Sequence, residues 1–211
     1  MRICESITAT TRTLMNSPSI AESCDRLLAA YESKGIAVRA NLNAGLDRAS
    51  ITAAVAPLGI ELPEEVLALY AWRNGHVDEE LYDAKLCFRD NHLLSLEQAI
   101  EEYRILNERN TKQELMENFG LDVSKSFPVA GFEGCVYVVA WGRHAWRKRT
   151  PRPVIQLFED VTRFFYSVPK MLETAHTWVS HPAWQAYELD SDIEDEIWQR
   201  LNPGVMEEGE S

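Results

Sequence analysis

The chain has 211 residues, with 21 basic and 33 acidic side chains, a formal net charge of −12 and a hydrophobic share of 45%. This hydrophobic share excludes global disorder. The acidic balance argues against a general nucleic-acid-binding role, because such proteins hold phosphates with concentrated Lys and Arg. No apolar run approaches the roughly 20 residues of a membrane span, and residues 1–6 lack the apolar core of a secretory signal. The composition therefore predicts a folded, acidic, cytoplasmic protein.

The first 120 residues carry mainly the patterns of helices. Residues 1–18 are rich in Thr and Ser without periodicity, which predicts a loosely ordered lead-in. Ser95 and Gln98 have the spacing of a capping box, which predicts the start of a helix. Gly75 is predicted to end a helix in the left-handed conformation, and a strand is predicted within residues 81–88. Further helices are predicted over residues 20–31, after Asp47, with Pro63 as the first residue of the next, and over 112–119.

The pattern changes after Asp122, where β-branched and aromatic residues predict strands. The predicted strands cover residues 127–132, 135–141, 154–158 and 162–166. They are expected to form two hairpins, with tight turns at Glu133-Gly134 and at Glu159-Asp160. The second strand is apolar on both alternating faces, which is typical of a central strand that is covered on both sides.

Two helices are predicted after the strands, the first capped by Ser167 and the second by Ser191 in a capping box with Glu194. The order of helices, then strands, then helices predicts an α+β fold. We expect a mainly antiparallel sheet of about four to six strands, packed with helices from both ends of the chain. The prediction is one domain over residues 19–204, followed by an acidic tail over 205–211.

Three segments of this chain occur in a familiar order. They are Leu-Gly-Ile-Glu-Leu-Pro-Glu-Glu at 58–65 running into Leu-Tyr-Ala-Trp-Arg-Asn-Gly at 69–75, Leu-Leu-Ser-Leu-Glu-Gln-Ala-Ile at 93–100, and Pro-Val-Ile-Gln-Leu-Phe-Glu-Asp at 153–160 followed by Phe-Tyr-Ser-Val at 165–168. Together they resemble the SUKH superfamily, which is named for the yeast Smi and Knr proteins and for bacterial immunity proteins. The resemblance covers roughly residues 42–203.

The resemblance implies a single α+β domain without catalytic residues. Bacterial members are typically immunity proteins that bind and neutralise a toxin, often a nuclease, whereas fungal members are regulatory scaffolds. We therefore expect a non-enzymatic immunity protein, with a regulatory or scaffolding interaction module as the alternative. One position departs from the family pattern. Members usually carry Glu four residues after the apolar position of Ile51, and this chain has Val55 there.

The residue types that serve catalysis and metal binding form no recognised motif in this sequence. Cys4, Cys24, Cys87 and Cys135 lack Cys-x-x-Cys spacing and are predicted to be free thiols. The five histidines include no His-x-x-x-His pair, and nucleophile-elbow and phosphate-loop motifs do not occur. We therefore predict no catalytic residue, no cofactor and no metal ligand. A hydrolase that uses a carboxylate or the Cys135 thiol stays open as a third class.

One basic segment, residues 143–149, contrasts with the acidic whole. Trp146 and its flanking cations suit base stacking and phosphate contact with nucleic acid. The same segment suits a solvated loop between two strands, or pairing with the acidic C-terminal segment. We favour the loop, because a short basic patch in a chain of net charge −12 supplies few phosphate contacts. Direct nucleic-acid binding is therefore not expected.

The candidate partner-binding residues are acidic clusters and two tryptophans late in the chain. They are Asp78, Glu79, Glu80, Trp184, Asp190, Asp192, Glu194 and Trp198. Clustered carboxylates are most often a solvated face. The sharper hypothesis is that some of them form a surface complementary to a basic toxin, which speeds association and rejects wrong partners. The two tryptophans are predicted as anchors, because aromatic side chains often carry much of the binding energy at an interface.

Overall fold

The structure is a computed structural model that describes residues 18–77, 85–88, 91–142, 150, 152–158, 160–185 and 188–203. The helices among these residues are α1 (Ile20–Ser33), α2 (Arg48–Val55), α3 (Glu64–Trp72), α4 (Leu96–Leu106), α5 (Arg109–Phe119), α6 (Val168–Ser180) and α7 (Ser191–Leu201). The strands are β1 (Leu42–Ala44), β2 (Arg73–His76), β3 (Cys87–Phe88), β4 (Asn91–Leu93), β5 (Ser126–Phe132), β6 (Cys135–Ala140), β7 (Val154–Phe158) and β8 (Asp160–Phe165). Apart from Pro18, the predicted lead-in lies outside the described residues, as does the predicted tail.

The strands β3 to β8 form one six-stranded sheet in which each strand pairs antiparallel with the next one in the chain. The strands β1 and β2 form a separate antiparallel pair. This architecture confirms the predicted α+β fold with a mainly antiparallel sheet. In the central strand β6 every residue from Val136 to Ala140 is buried. A strand that is apolar on both faces requires such cover.

Both predicted hairpins form, but only the first turn lies where the sequence predicts it, because Asp160 belongs to β8 and Glu159 lies outside the described residues. The turn between β5 and β6 consists of Glu133 and Gly134, whose φ angles are 46° and 83°. Two residues of positive φ give a turn whose twist matches the right-handed twist of the strands. In the second hairpin Phe158 pairs with Asp160, so β8 begins two residues earlier than predicted.

Aromatic side chains connect the helices to the sheet. The ring of Trp178 on α6 lies 6.3 Å from the ring of Phe165 on β8, and Phe165 lies 5.7 Å from Tyr137 on β6. On α3, the ring of Tyr70 lies 6.3 Å from Phe127 of β5. Edge-on pairs of this kind add about 0.5–1.5 kcal/mol each to the free energy gained by burial. The aromatic residues therefore fix α3 and α6 on the sheet.

The two ends of the chain meet where α1 packs against α6. Leu27 and Leu28 on α1 are fully buried, as are Met171 and Leu172 on α6. Burial of each such side chain contributes about 1.5–3 kcal/mol to the free energy of unfolding. The prediction that helices from both ends of the chain join the core is therefore confirmed.

The segment around Gly75 differs from the prediction. The helix α3 ends at Trp72, and Asn74 and Gly75 belong to strand β2 instead of ending the helix. Gly75 does have a left-handed φ of 67°, but this conformation serves a close contact within the fold, which is described below. Pro63 is the residue that precedes the first helical turn of α3, rather than the first residue of that turn.

The start of α7 also differs in its capping residue. The helix begins at Ser191 as predicted, but Asp190 supplies the cap. The Asp190 Oδ1 atom accepts hydrogen bonds from the N–H groups of Asp192 at 3.0 Å and Ile193 at 3.4 Å. The predicted capping box of Ser191 with Glu194 is therefore wrong, because the carboxylate one residue earlier caps the helix.

Candidate protein-binding groove

The first turn of α4 is held by three polar side chains. The Ser95 Oγ atom accepts the N–H of Gln98 at 3.2 Å, and the Gln98 Oε1 atom accepts the N–H of Ser95 at 2.7 Å. The predicted capping box is thus confirmed. The Asn74 Oδ1 atom accepts the N–H of Leu96 at 2.7 Å. These bonds satisfy backbone donors that would otherwise lack partners, and they tie α4 to strand β2.

Two glycines allow unusually close contacts beside this helix. A Cβ atom on Gly75 would lie 2.5 Å from the backbone N of Ser95, and one on Gly45 would lie 1.9 Å from the carbonyl O of Ala71. Only glycine permits backbones to approach this closely. The segment before α2, the strand β2 and the start of α4 are therefore held in fixed positions around one groove.

This groove lies between α2 and α4 and has a volume of about 630 Å³. Its apolar lining consists of Leu46, Ala54, Leu96 and Ile100. The lining also includes Glu97 and Glu101 of α4, which are exposed, and the cation of Arg104. The two carboxylates outnumber this one cation, and we call the site, defined by these seven residues, the acidic groove. An apolar floor with carboxylates beside it suits a ligand that has both apolar and cationic groups.

One face of α4 presents the acidic residues of the groove. Glu97 and Glu101 are four residues apart and therefore lie one above the other on the helix. The Glu101 Oε2 atom lies 3.1 Å from Arg104 Nη1, but both side chains are more than half exposed, so this ion pair is weak. Ile105 follows on the same face and is 46% exposed. Among the described residues, Ile105 and Val77 are the large apolar side chains that remain exposed.

The helix α5 extends the acidic surface next to α4. Glu114 and Glu117 on α5 are exposed, as is Glu108 between the two helices. Burial and the neighbouring Glu101 raise the pKa of Glu102 on α4. Glu101 and Glu102 therefore repel each other, and a cationic group of a partner would relieve that repulsion. The sequence analysis did not select these residues, although the four-residue spacing of Glu97, Glu101 and Ile105 is a readable signal.

The predicted acidic partner-binding residues lie elsewhere. Asp190 and Asp192 are exposed at the N-terminus of α7, where the Asp190 carboxylate is engaged as the helix cap. Asp78, Glu79 and Glu80 lie outside the described residues, as does the basic segment 143–149. Asp190 and Asp192 therefore belong to a small acidic surface at the start of α7, which is separate from the acidic groove.

The structure corrects three of the predicted partner-binding residues. Trp184 is 6% exposed and Trp198 is 4% exposed, so neither indole is available as an anchor at the surface. The Trp184 ring lies edge-on to Tyr31 of α1 at 5.7 Å. Glu194 is 7% exposed, and its carbonyl O accepts the indole N–H of Trp178 at 3.1 Å. These residues hold α7 and the segment before it on the core.

The position at which this chain departs from the SUKH pattern is buried. Val55 on α2 is 2% exposed and belongs to the hydrophobic core, whereas its neighbour Ala54 lines the acidic groove. A carboxylate at position 55 would have to be desolvated in this fold, which is costly without a partner. A valine at this position is therefore compatible with the buried face of α2, whereas an unpaired glutamate is not.

A buried histidine pair lies beside the start of β3. The rings of His76 and His92 are 5.6 Å apart, and the His76 Nε2 atom accepts the N–H of Leu86 at 2.8 Å. Burial is the main cause that lowers the pKa of each ring to about 4, with smaller contributions from Lys85 at both rings and from His92 at His76. Within the described part of the chain, no group of three or more His, Cys, Asp or Glu side chains has the arrangement of a metal site.

A second cavity, of about 460 Å³, lies between α1 and α6. Arg26, Lys170 and His176 line it together with Glu173. The Lys170 Nζ atom lies 2.6 Å from the Glu173 carboxylate, so half of the cationic charge of Lys170 and Arg26 is already neutralised. Burial, and next the charge of Arg26, lower the pKa of His176.

Comparison with protein-family models gave no match, and comparison with curated proteins gave no match either. None of the helices in the described ranges has the length and apolar character needed to cross a bilayer. The resemblance to the SUKH superfamily therefore stays a prediction.

Proposed function

We propose that this chain is a non-enzymatic immunity protein that neutralises a basic toxin, a nuclease, by binding it through the acidic groove. The observation that carries the proposal is the combination of an apolar floor, formed by residues such as Leu96 and Ile100, with the exposed carboxylates of Glu97 and Glu101. A protein interface needs such an apolar centre to gain free energy, and the charges select the partner.

The charge of the chain supports a basic partner. A nuclease holds the phosphates of its substrate with Lys and Arg, so its substrate-binding face is cationic. An acidic protein of net charge −12 is attracted to such a face, and the attraction speeds the encounter. Occupying that face blocks the toxin without any chemistry by the immunity protein. The SUKH-like segments support the same class of function.

A partner bound in the groove would have to contact the neighbouring surface as well. A stable protein complex buries about 1,200–2,000 Å² of surface in total, which exceeds the area of one groove. The exposed Ile105 of α4 and the carboxylates of Glu114 and Glu117 of α5 lie beyond the groove on the neighbouring helices. We assign the groove to the apolar centre of the contact and these flanking residues to its rim.

Co-expression tests the function directly. A candidate toxin encoded next to this chain's gene is produced in a host cell with and without the chain. We expect the chain to restore growth and the purified pair to form a complex by calorimetry. Continued cell death despite abundant folded chain would count against immunity, and a regulatory or scaffolding role would then be the better hypothesis.

Charge reversal tests the groove. The double variant Glu97→Lys/Glu101→Lys is expected to weaken toxin binding at least about tenfold, because like charges facing each other across an interface cost several kcal/mol. The matched control is Asp192→Lys/Glu196→Lys on α7, which makes the same change in net charge with the same four-residue spacing. Weakened binding in the control with normal binding in the groove variant would place the contact on α7 and refute the groove.

A further inference from the structure

Strand register brings two buried amides to the thiol of Cys135. Cys135 begins β6, directly after the exposed turn of Glu133 and Gly134, and it is half-buried. The Asn91 Nδ2 atom on β4 lies 3.3 Å from the Cys135 Sγ atom, and the Gln156 Nε2 atom on β7 lies 3.1 Å from it. Two side-chain N–H donors from strands on either side therefore meet at one sulfur.

The amides themselves are deeply buried and only partly satisfied. Asn91 is 1% exposed and Gln156 is 8% exposed. The Asn91 Oδ1 and Gln156 Oε1 atoms are buried and accept no hydrogen bond within the described residues. A buried amide oxygen without a donor costs about 1–3 kcal/mol. The strand register thus places two unsatisfied acceptors, each on an amide that contacts the same thiol.

A thiol does not satisfy this arrangement. Its sulfur is a weak acceptor for the two N–H groups that reach it. A sulfenic acid, S–OH, adds an oxygen that accepts N–H bonds well. The surroundings of Cys135 therefore match the oxidised group better than the thiol.

We propose that Cys135 is a site of oxidation by hydrogen peroxide, with Asn91 and Gln156 as the residues that hold the sulfenic acid. In this step the sulfur attacks one peroxide oxygen, the S–O bond forms and the O–O bond breaks. The thiol and one molecule of hydrogen peroxide yield the sulfenic acid and one molecule of water, so that sulfur is oxidised and peroxide is reduced. A partly exposed cysteine among hydrogen-bond donors is typical of a redox-sensitive thiol.

The test compares the cysteines within one protein. The full chain is treated with hydrogen peroxide, sulfenic acids are trapped with dimedone, and each labelled peptide is quantified by mass spectrometry. Cys87 is also half-buried and Cys24 is fully buried, so they are internal controls. We expect Cys135 to be labelled at least about tenfold faster than Cys87, since hydrogen bonds to a developing charge are worth that factor or more. Equal rates at the two thiols would overturn the proposal.

Substitutions test whether the amides of Asn91 and Gln156, or only the solvent exposure of Cys135, set its rate of oxidation. Gln156→Met and Asn91→Leu remove donor and acceptor at nearly constant volume, and each is expected to slow the labelling of Cys135 about tenfold while Cys87 is unchanged. Asn41→Leu is the control, because Asn41 is also a buried amide but ends the short 3-10 helix before β1, outside the six-stranded sheet. Folding of each variant is checked by circular dichroism. If a variant does not fold, the ratio of Cys135 to Cys87 in the unaltered chain still decides the question. Unchanged labelling in folded variants would refute the role of the amides.

Discussion

We expect mild acid to destabilise this protein through the pair His76 and His92. Both rings are buried, at 5% and 8% exposure, and lie 5.6 Å apart. Lys85 lies near both rings, so protonation would add positive charge next to an existing cation. The His76 Nε2 atom would also have to release the N–H of Leu86, because a protonated ring accepts no hydrogen bond there.

The direction and size of the effect follow from the pKa values. Each ring has a pKa of about 4 in the folded chain, against an ordinary value of 6.5. Above pH 6.5 both rings are neutral in either state, and they have no effect on stability. Between pH 6.5 and 4 the unfolded chain binds more protons, so the free energy of unfolding falls. At about 1.4 kcal/mol per pKa unit, the loss reaches about 3 kcal/mol for each ring at most.

Urea unfolding at several pH values between 7.5 and 4.5 measures this effect, and His92→Phe isolates it. The phenylalanine keeps a ring against His76 and Phe132 but cannot be protonated. We expect this variant to lose about half as much stability on acidification as the unaltered chain. His181→Gln, outside the pair, is the control and should behave like the unaltered chain. Equal acid sensitivity of His92→Phe and the unaltered chain would refute the reasoning.

Two further predictions concern stability at neutral pH. Gly75→Ala should lower the free energy of unfolding by about 2–4 kcal/mol, because the new Cβ atom would meet the backbone of Ser95 as well as a positive φ. Gly59→Ala has a similar φ in open space and should cost only about 1 kcal/mol, so equal losses in urea unfolding would contradict the clash. Trp184→Ala should cost about 3–5 kcal/mol, because the indole packs on Tyr31 in the core. If Trp184→Ala left the free energy of unfolding unchanged, the surface role expected from the sequence would be favoured instead.

Local interactions explain which elements could be predicted from the sequence. The helix start at Ser95 and the turn at Glu133-Gly134 depend on residues within three positions of one another, and both occur as predicted. Gly75 was predicted correctly as left-handed but assigned the wrong role, because its close neighbour, Ser95, is 20 positions away. The left-handed conformation of Gly75 could therefore be predicted from the sequence, whereas the close contact that requires a glycine there could not.

The binding residues were harder to predict, because exposure depends on distant packing. On α7, the buried face consists of Glu194, Ile197 and Trp198, which have helical spacing. Because Glu194 is a carboxylate within an acidic segment, the sequence suggested that it lies on an exposed acidic surface. The acidic groove was missed for a different reason. It combines Leu46 and Ala54 with residues of α4 about 50 positions later, and sequence alone does not show that α2 and α4 lie side by side.

The contact of α1 with α6 has a consequence for synthesis on the ribosome. The helix α1 ends at Ser33, and α6 begins only at Val168. At a translation rate of about 5–20 residues per second, the first helix waits roughly 7–27 s for α6. Until then α1 can pack only against earlier elements such as α3, and the apolar surface that α6 later covers gives chaperones a binding site on the nascent polypeptide.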